Sequence, residues 1–203
     1  MEQADATGKP VPPETRHAVA RLTQVVNHLL DMTRLESGLL KPHMEWVDPG
    51  ELIYEALERI QAQTQSHRVT VKVDSELPPI RVDPGLIEQA LAILVSNAAI
   101  YSETESEIEV SAALHGATLR LAVADRGPGL KPGDEEKVFQ RFYRSEGSRA
   151  GGIGLGLSIA QRLVEAHHGR ISAANRPGGG ALFLIELPAT EPLQLPEEPS
   201  SLS

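Results

Sequence analysis

Four glycines in six residues, Gly151-Gly152-Ile153-Gly154-Leu155-Gly156, run straight into an apolar helical pattern from Ser158 to Ala166. Alternating glycines leave backbone N–H groups bare and permit positive φ. A helix N-terminus adds further free N–H groups and the positive end of a dipole. Together they predict a cradle for an anionic group such as a phosphate. A flexible linker is the alternative, but linkers lead into polar sequence rather than an apolar helix. The pattern is not a dinucleotide fingerprint, because the last glycine comes one residue too soon and Phe142 to Arg149 does not read as a strand. No G-x-x-x-x-G-K-[ST] occurs either, so a P-loop is excluded.

The chain has 203 residues, 40% of them apolar, enough for one domain with a core. Aromatic residues make up only 3%, so that core must be built from Leu, Ile, Val and Ala. There is no cysteine, which excludes disulfides and thiolate metal sites and fits a reducing compartment. The net charge of −9 argues against nucleic acid or an acidic membrane as partner. No stretch reads as the roughly 18–20 apolar residues that cross a bilayer. The expected location is the cytoplasm.

Residues 1–13 are polar and Pro-rich and read as disordered. Residues 14–41 carry helical periodicity with Val19, Leu22, Val25, Val26, Leu29, Leu30 and Met32 on one stripe. That stripe predicts a partner helix, one candidate being a second copy of this chain. A second helix is expected from Asp48 or Pro49 to about Gln65, with Asp48 as N-cap and Glu51 completing a capping box. Val69 to Val73 alternates and reads as a strand, and Ile80 to Val82 as a short extended piece. A third helix starts at Asp83-Pro84 and runs through Ile100. Glu107 to Ala113 and Thr118 to Asp125 form a hairpin about His115-Gly116. A short helix is expected from Glu135 to Phe142. Arg170 to Ala174 and Ala181 to Leu187 are the last strands, and residues 189–203 read as a disordered tail. The order predicts an α+β sandwich, with helices on one face of a mixed, mostly antiparallel sheet.

Asp125-Arg126-Gly127-Pro128-Gly129 closes an apolar strand. A carboxylate there can accept a hydrogen bond from an exocyclic amine such as adenine N6, while the glycines let a ring approach the backbone. Alone, D-x-G-x-G is a common turn. With the glycine cradle some 25 residues on, one motif can hold a base and the other its phosphates.

These motifs, with Phe139-Gln140-Arg141-Phe142-Tyr143-Arg144 and Asn97-Ala98-x-x-Tyr101, resemble the G1, G2, F and N boxes of sensor histidine kinases. Those kinases share the Bergerat, or GHKL, sandwich fold with gyrase, heat-shock chaperones and mismatch-repair proteins. The resemblance runs from about Leu22 to Pro188. Leu29 to Gly38 resembles the second helix of the dimerisation domain. Val82-Asp83-Pro84, Gly127-Pro128-Gly129-Leu130 and Asn175-Arg176-Pro177-x-Gly179-Gly180-Ala181 resemble more narrowly the potassium-responsive sensor kinases of the Kdp system.

The resemblance implies an ATP-binding catalytic domain at 46–188. In it, Asn97 ligates Mg²⁺, Asp125 reads adenine with Gly127 and Gly129, and Tyr101 packs beside the base or sugar. Gly152, Gly154, Leu155, Gly156 and Leu157 cradle the phosphates, and Arg144 neutralises the γ-phosphate. Asn97 could instead solvate a helix face, Tyr101 could be an ordinary half-buried tyrosine, and Arg144 could be a solvated lid charge. Phe139 and Phe142 are expected to anchor the lid helix. The implied reaction is transfer of the ATP γ-phosphoryl to a histidine, then relay to an aspartate of a response regulator. The partners implied are a phosphoacceptor helix of the parent kinase, a response regulator and a homodimer through helix 14–40, the parent being an inner-membrane sensor.

The pattern departs from the family in three places. Ile93 stands where an Asn is usual, Ile100 where a Lys is usual, and Ser96 where an acid is common. None of the histidines, from His17 to His168, is followed by an acidic residue and a proline in the phosphoacceptor setting. The expectation is that the chain starts after the phosphoacceptor helix and cannot phosphorylate itself in this form. A catalytically degenerate nucleotide-binding or interaction module is the competing reading, and a serine kinase of the anti-sigma type is a third. His167 and His168 point apart if helical, so no metal site is expected from them.

Overall fold

The computed structural model describes residues 41–145 and 153–189. The expectations for 1–13, for helix 14–40 and its dimer, and for the tail from 190 onward lie outside the described residues.

Among the described residues, seven strands, four α-helices and one 3₁₀ turn make two layers. Strands β2 (Arg68–Val73), β4 (Glu107–His115), β5 (Thr118–Ala124), β6 (Arg170–Asn175) and β7 (Ala181–Pro188) form one sheet in the order β2-β4-β5-β7-β6. Only β2–β4 is parallel, and its crossover is supplied by β3 (Ile80–Val82) and the long helix α3 (Pro84–Tyr101). The hairpin between His115 and Thr118 forms as expected. A short strand, β1 (Glu45–Val47), pairs with β3 and is absent from the sequence reading.

Period-2 alternation faces Ile108 and Val110 of β4, Leu119 and Leu121 of β5, and Phe183 and Ile185 of β7 toward the helices. The outer face is half-exposed and carries ion pairs such as Arg120–Glu186 at 2.9 Å. The core is aliphatic, as the composition requires. Its two buried phenylalanines, Phe139 and Phe183, meet edge to face at 6.4 Å.

α1 (Pro49–Arg59) begins at Asp48, whose Oδ1 accepts from the N–H groups of Gly50 (2.6 Å) and Glu51 (3.2 Å). The expected helix to Gln65 breaks at Ile60, where φ is −117°, and resumes as the single turn α2 (Gln61–Thr64). Ile60 itself is buried at 6% exposure. α3 is capped by Asp83 onto the Leu86 N–H at 3.2 Å. By length and mean hydropathy alone, 1.2 over 18 residues, α3 meets the lower limit for a membrane span. Its apolar surface is instead used on several sides, packing against α1, the sheet and α4 (Gly156–Glu165). The expected helix from Glu135 to Phe142 shrinks to a 3₁₀ turn at Lys137–Phe139. Phe139 is pinned in the core, and Phe142 leaves the helical path at φ 61°.

Candidate functional site

One cavity of about 330 Å³ opens between the C-terminal half of α3, the ends of β5 and β7, and the start of α4. Asn97, Tyr101, Asp125, Gly129, Arg144 and Leu157 line it together. The acid that closes β5 and Leu157, in the first turn of α4, therefore share one space. Gly127, Gly154, Leu155 and Gly156 are not among its lining residues, and Gly152 lies outside the described residues.

Asp125 is buried at 4% exposure. Its Oδ1 accepts from the N–H groups of Gly127 (2.7 Å) and Ala181 (3.1 Å). Its own N–H donates to the Ala181 carbonyl at 3.0 Å. Two amides on Oδ1 compensate the burial of the carboxylate and fix its rotamer. Oδ2 accepts no hydrogen bond among the described residues, so it is the acceptor a ligand can use.

Gly127 has a stricter role than leaving room for a ring. A Cβ there would stand 2.7 Å from the Tyr101 carbonyl oxygen, so the loop after β5 packs directly on the end of α3. Gly154 has φ 76°, and a Cβ would lie 2.7 Å from the Tyr143 carbonyl oxygen. The Phe142 N–H donates to the Gly154 carbonyl at 2.8 Å. The segment entering α4 is thus stitched to the segment carrying Arg144. α4 starts with no side-chain cap, since its N-cap residue is Leu155. Among the described residues, no side chain caps its first N–H groups.

The departures fall in different environments. Ile93 does not line the cavity: it is 9% exposed, in the core cluster, with Cγ2 3.3 Å from the Cβ position of Gly156. Ile100 is exposed at 55% on the last turn of α3. Phe139 is buried, as an anchor should be, but Phe142 is exposed at 64% and anchors nothing by burial. His167 is a buried latch. Its Nδ1 lies 2.7 Å from the Leu163 carbonyl, and its Nε2 accepts from the Asp83 N–H at 2.9 Å.

Several contributors escaped the sequence reading. Asn175 grips Leu130 at both ends, with Oδ1 accepting from the Leu130 N–H (2.6 Å) and Nδ2 donating to the Leu130 carbonyl (2.9 Å). Asp134, Lys131, Tyr143 and Ser145 join the cavity wall. Asp134 opens the acidic run Asp134-Glu135-Glu136, and only its hydroxyl partners, Tyr143 and Ser145, distinguish it. The Tyr143 hydroxyl bond holds its carboxyl below the usual carboxylate range against the opposing effect of burial, and Ser145, Lys137 and Lys131 add to the lowering.

No group of three or more His, Asp or Glu suited to a metal ion occurs among the described residues. Asn97, half-buried on α3 and facing the cavity, offers one side-chain oxygen. That donor set fits a hard cation arriving with a polyphosphate, since Mg²⁺ keeps waters and takes phosphate oxygens alongside few protein ligands. It does not fit a resident ion held by the protein alone.

A family profile described as "Histidine kinase-, DNA gyrase B-, and HSP90-like ATPase" matches residues 82–191, more than half of the chain. The sensor protein KdpD of Escherichia coli (strain K12) is 38% identical over 185 residues, covering 91% of this chain and 21% of KdpD. The sensor-like histidine kinase SenX3 of Mycobacterium tuberculosis (strain ATCC 25618 / H37Rv) is 37% identical over 174 residues, covering 83% of this chain and 42% of SenX3. The crystal structure of full-length ShkA in complex with AMPPNP superposes with a TM-score of 0.75 at 28% identity, over 91% of this chain and 41% of ShkA. The mycobacterial sensor histidine kinase MprB superposes with a TM-score of 0.65 at 28% identity, over 73% of this chain and 99% of that chain.

The chain therefore belongs to the histidine kinase-, DNA gyrase B- and HSP90-like ATPase family. Within it, the match is to the ATP-binding catalytic domain of sensor histidine kinases. KdpD and SenX3 match at nearly equal identity, so the Kdp-type resemblance is supported without being exclusive. The chain spans about a fifth of KdpD and about two fifths of SenX3.

Proposed function

We propose that this chain acts as the catalytic module of a sensor histidine kinase, transferring the γ-phosphoryl of Mg·ATP to a histidine nitrogen on a phosphoacceptor helix. The phosphoryl group then passes to an aspartate of a response regulator. The observation that carries the reading is the shared cavity, with the open Oδ2 of Asp125 at one wall and Leu157, Asn97 and Arg144 at the others. Asp125 accepts the adenine amine. The bare amides at the start of α4 donate to phosphate oxygens. Arg144 balances charge at the γ-phosphate, where a guanidinium can pair two oxygens. Asn97 helps hold the Mg²⁺, which when bound neutralises phosphate charge. Catalysis by these groups is positioning and electrostatic stabilisation. ATP, the phosphoacceptor helix and the regulator would meet this module in the cytoplasm, the parent being a membrane sensor that pairs through helix 14–40.

The departures do not favour a degenerate module. Ile93 is a packed core residue and Ile100 is solvent-facing, and neither obstructs the cavity. Calorimetric titration with Mg·ATP, Mg·ADP and ATP in EDTA tests the reading. Mg²⁺-dependent binding that distinguishes ATP from ADP supports it. Binding of neither nucleotide overturns it.

A further inference from the structure

Asp134 is a buried acid, at 6% exposure, that the nucleotide reading does not use. Both of its oxygens are engaged. Oδ1 accepts from the Tyr143 hydroxyl at 2.6 Å, and Oδ2 accepts from the Ser145 hydroxyl at 3.0 Å. Arg144 is the residue between those two donors. All four residues line the same cavity.

The clamp has a firm base. The Asp134 N–H donates to the Lys131 carbonyl at 3.0 Å, and its carbonyl accepts from the Val138 N–H at 2.9 Å. The same stretch is tied from the other side by the Phe142 N–H to Gly154. Burying a carboxylate costs free energy unless donors surround it. Here the compensating donors are side chains flanking one arginine in sequence. An acid placed only for folding has no need to divide its oxygens around a single residue.

We propose that Asp134 is a positioning residue for Arg144: by holding residues 143 and 145 it fixes the backbone of 144, so that the guanidinium works at the phosphate end of the cavity. The inference rests on the reading of Arg144 as the γ-phosphate partner. A long, flexible arginine contributes most when its base is held before the ligand arrives, because less freedom is lost on binding.

The test is a double-mutant cycle on the full chain, reading the ratio of Mg·ATP to Mg·ADP affinity. Asp134→Asn keeps one acceptor and turns the other into a donor, so one leg of the clamp is lost. It should cut the ATP preference about threefold or more. In an Arg144→Ala background the same change should have no further effect. A folded Asp134→Asn protein with full ATP preference overturns the proposal, as do effects of the two substitutions that simply multiply. Should Asp134→Asn fail to fold by circular dichroism, Tyr143→Phe combined with Ser145→Ala removes both legs and takes its place. If the parent chain binds neither nucleotide, the kinase reading falls, and amide hydrogen exchange at 143–145 decides the clamp instead. Faster exchange in the variant then supports it, and identical exchange overturns it.

Discussion

Asp125 and Ala181 hold each other through two hydrogen bonds: the Asp125 N–H donates to the Ala181 carbonyl at 3.0 Å, and the Ala181 N–H returns to Asp125 Oδ1 at 3.1 Å. The pair extends the β5–β7 ladder one step past Ala124 and Leu182. The carboxylate is thus aimed by the sheet itself, and half of it is consumed in the aiming. The other half is left facing the cavity. Recognition and folding are coupled at this residue, which shapes the variants that can be used to probe it.

Gly127→Ala should destabilise the fold even though Gly127 does not line the cavity. The added methyl would press on the Tyr101 carbonyl at 2.7 Å, which is backbone and cannot swing aside. Overpacking of this kind costs about 1–3 kcal/mol. Urea unfolding measures it, and a change below about 0.5 kcal/mol would contradict the close packing of this loop on α3.

Stability should fall as the solution is made mildly acidic, through His167. Burial lowers the proton affinity of its ring below the ordinary value of 6.5, against the opposing pull of the Leu163 carbonyl and the Asp83 charge. The neutral ring is what the fold uses, with Nδ1–H donating to Leu163 and Nε2 accepting from Asp83. The folded-state pKa therefore lies below the unfolded one. Above 6.5 both states are neutral and this contribution is complete; as pH falls below 6.5 the unfolded state takes up the proton first, and stability declines until the folded pKa is also passed. Unfolding at about pH 7.5 and about pH 5.5 should show a larger loss in the parent chain than in His167→Phe. Equal losses would contradict the latch.

The two isoleucine departures should behave differently when reverted. Ile93→Asn puts an amide into the core against Gly156 and should cost about 1–3 kcal/mol of stability. Ile100→Lys is an exposed change that should leave stability within about 0.5 kcal/mol. It adds a positive charge on the last turn of α3, so it should tighten Mg·ATP binding. Titration and unfolding of both variants check this. An Ile100→Lys protein with unchanged or weaker ATP affinity would contradict this expectation.

The sequence was informative wherever a local rule set the structure. Pro84 after Asp83 marked the start of α3, and Asp48 marked α1, because caps and helix-start prolines act through neighbouring backbone. Alternation fixed the inward faces of β4, β5 and β7. The cavity between Asp125 and Leu157 was legible because both ends are punctuated by glycine. Features set by distant partners were not legible. The helix from Pro49 breaks at Ile60, and Phe142 turns out at φ 61° with its N–H donating to the Gly154 carbonyl. The pairings of Asp134 and Asn175 were not legible, since Tyr143 is nine positions and Leu130 forty-five positions away along the chain.

The most direct measurement is Mg·ATP affinity of Asp125→Asn beside the parent chain. The substitution keeps an acceptor at Oδ1 for Gly127 and Ala181 and replaces only the ligand-facing acceptor by a donor. Loss of a charged hydrogen bond of about 1.5–3 kcal/mol predicts affinity lower by about 10-fold or more, with unfolding stability largely retained. An Asp125→Asn protein that is folded and binds Mg·ATP as tightly as the parent would contradict the account.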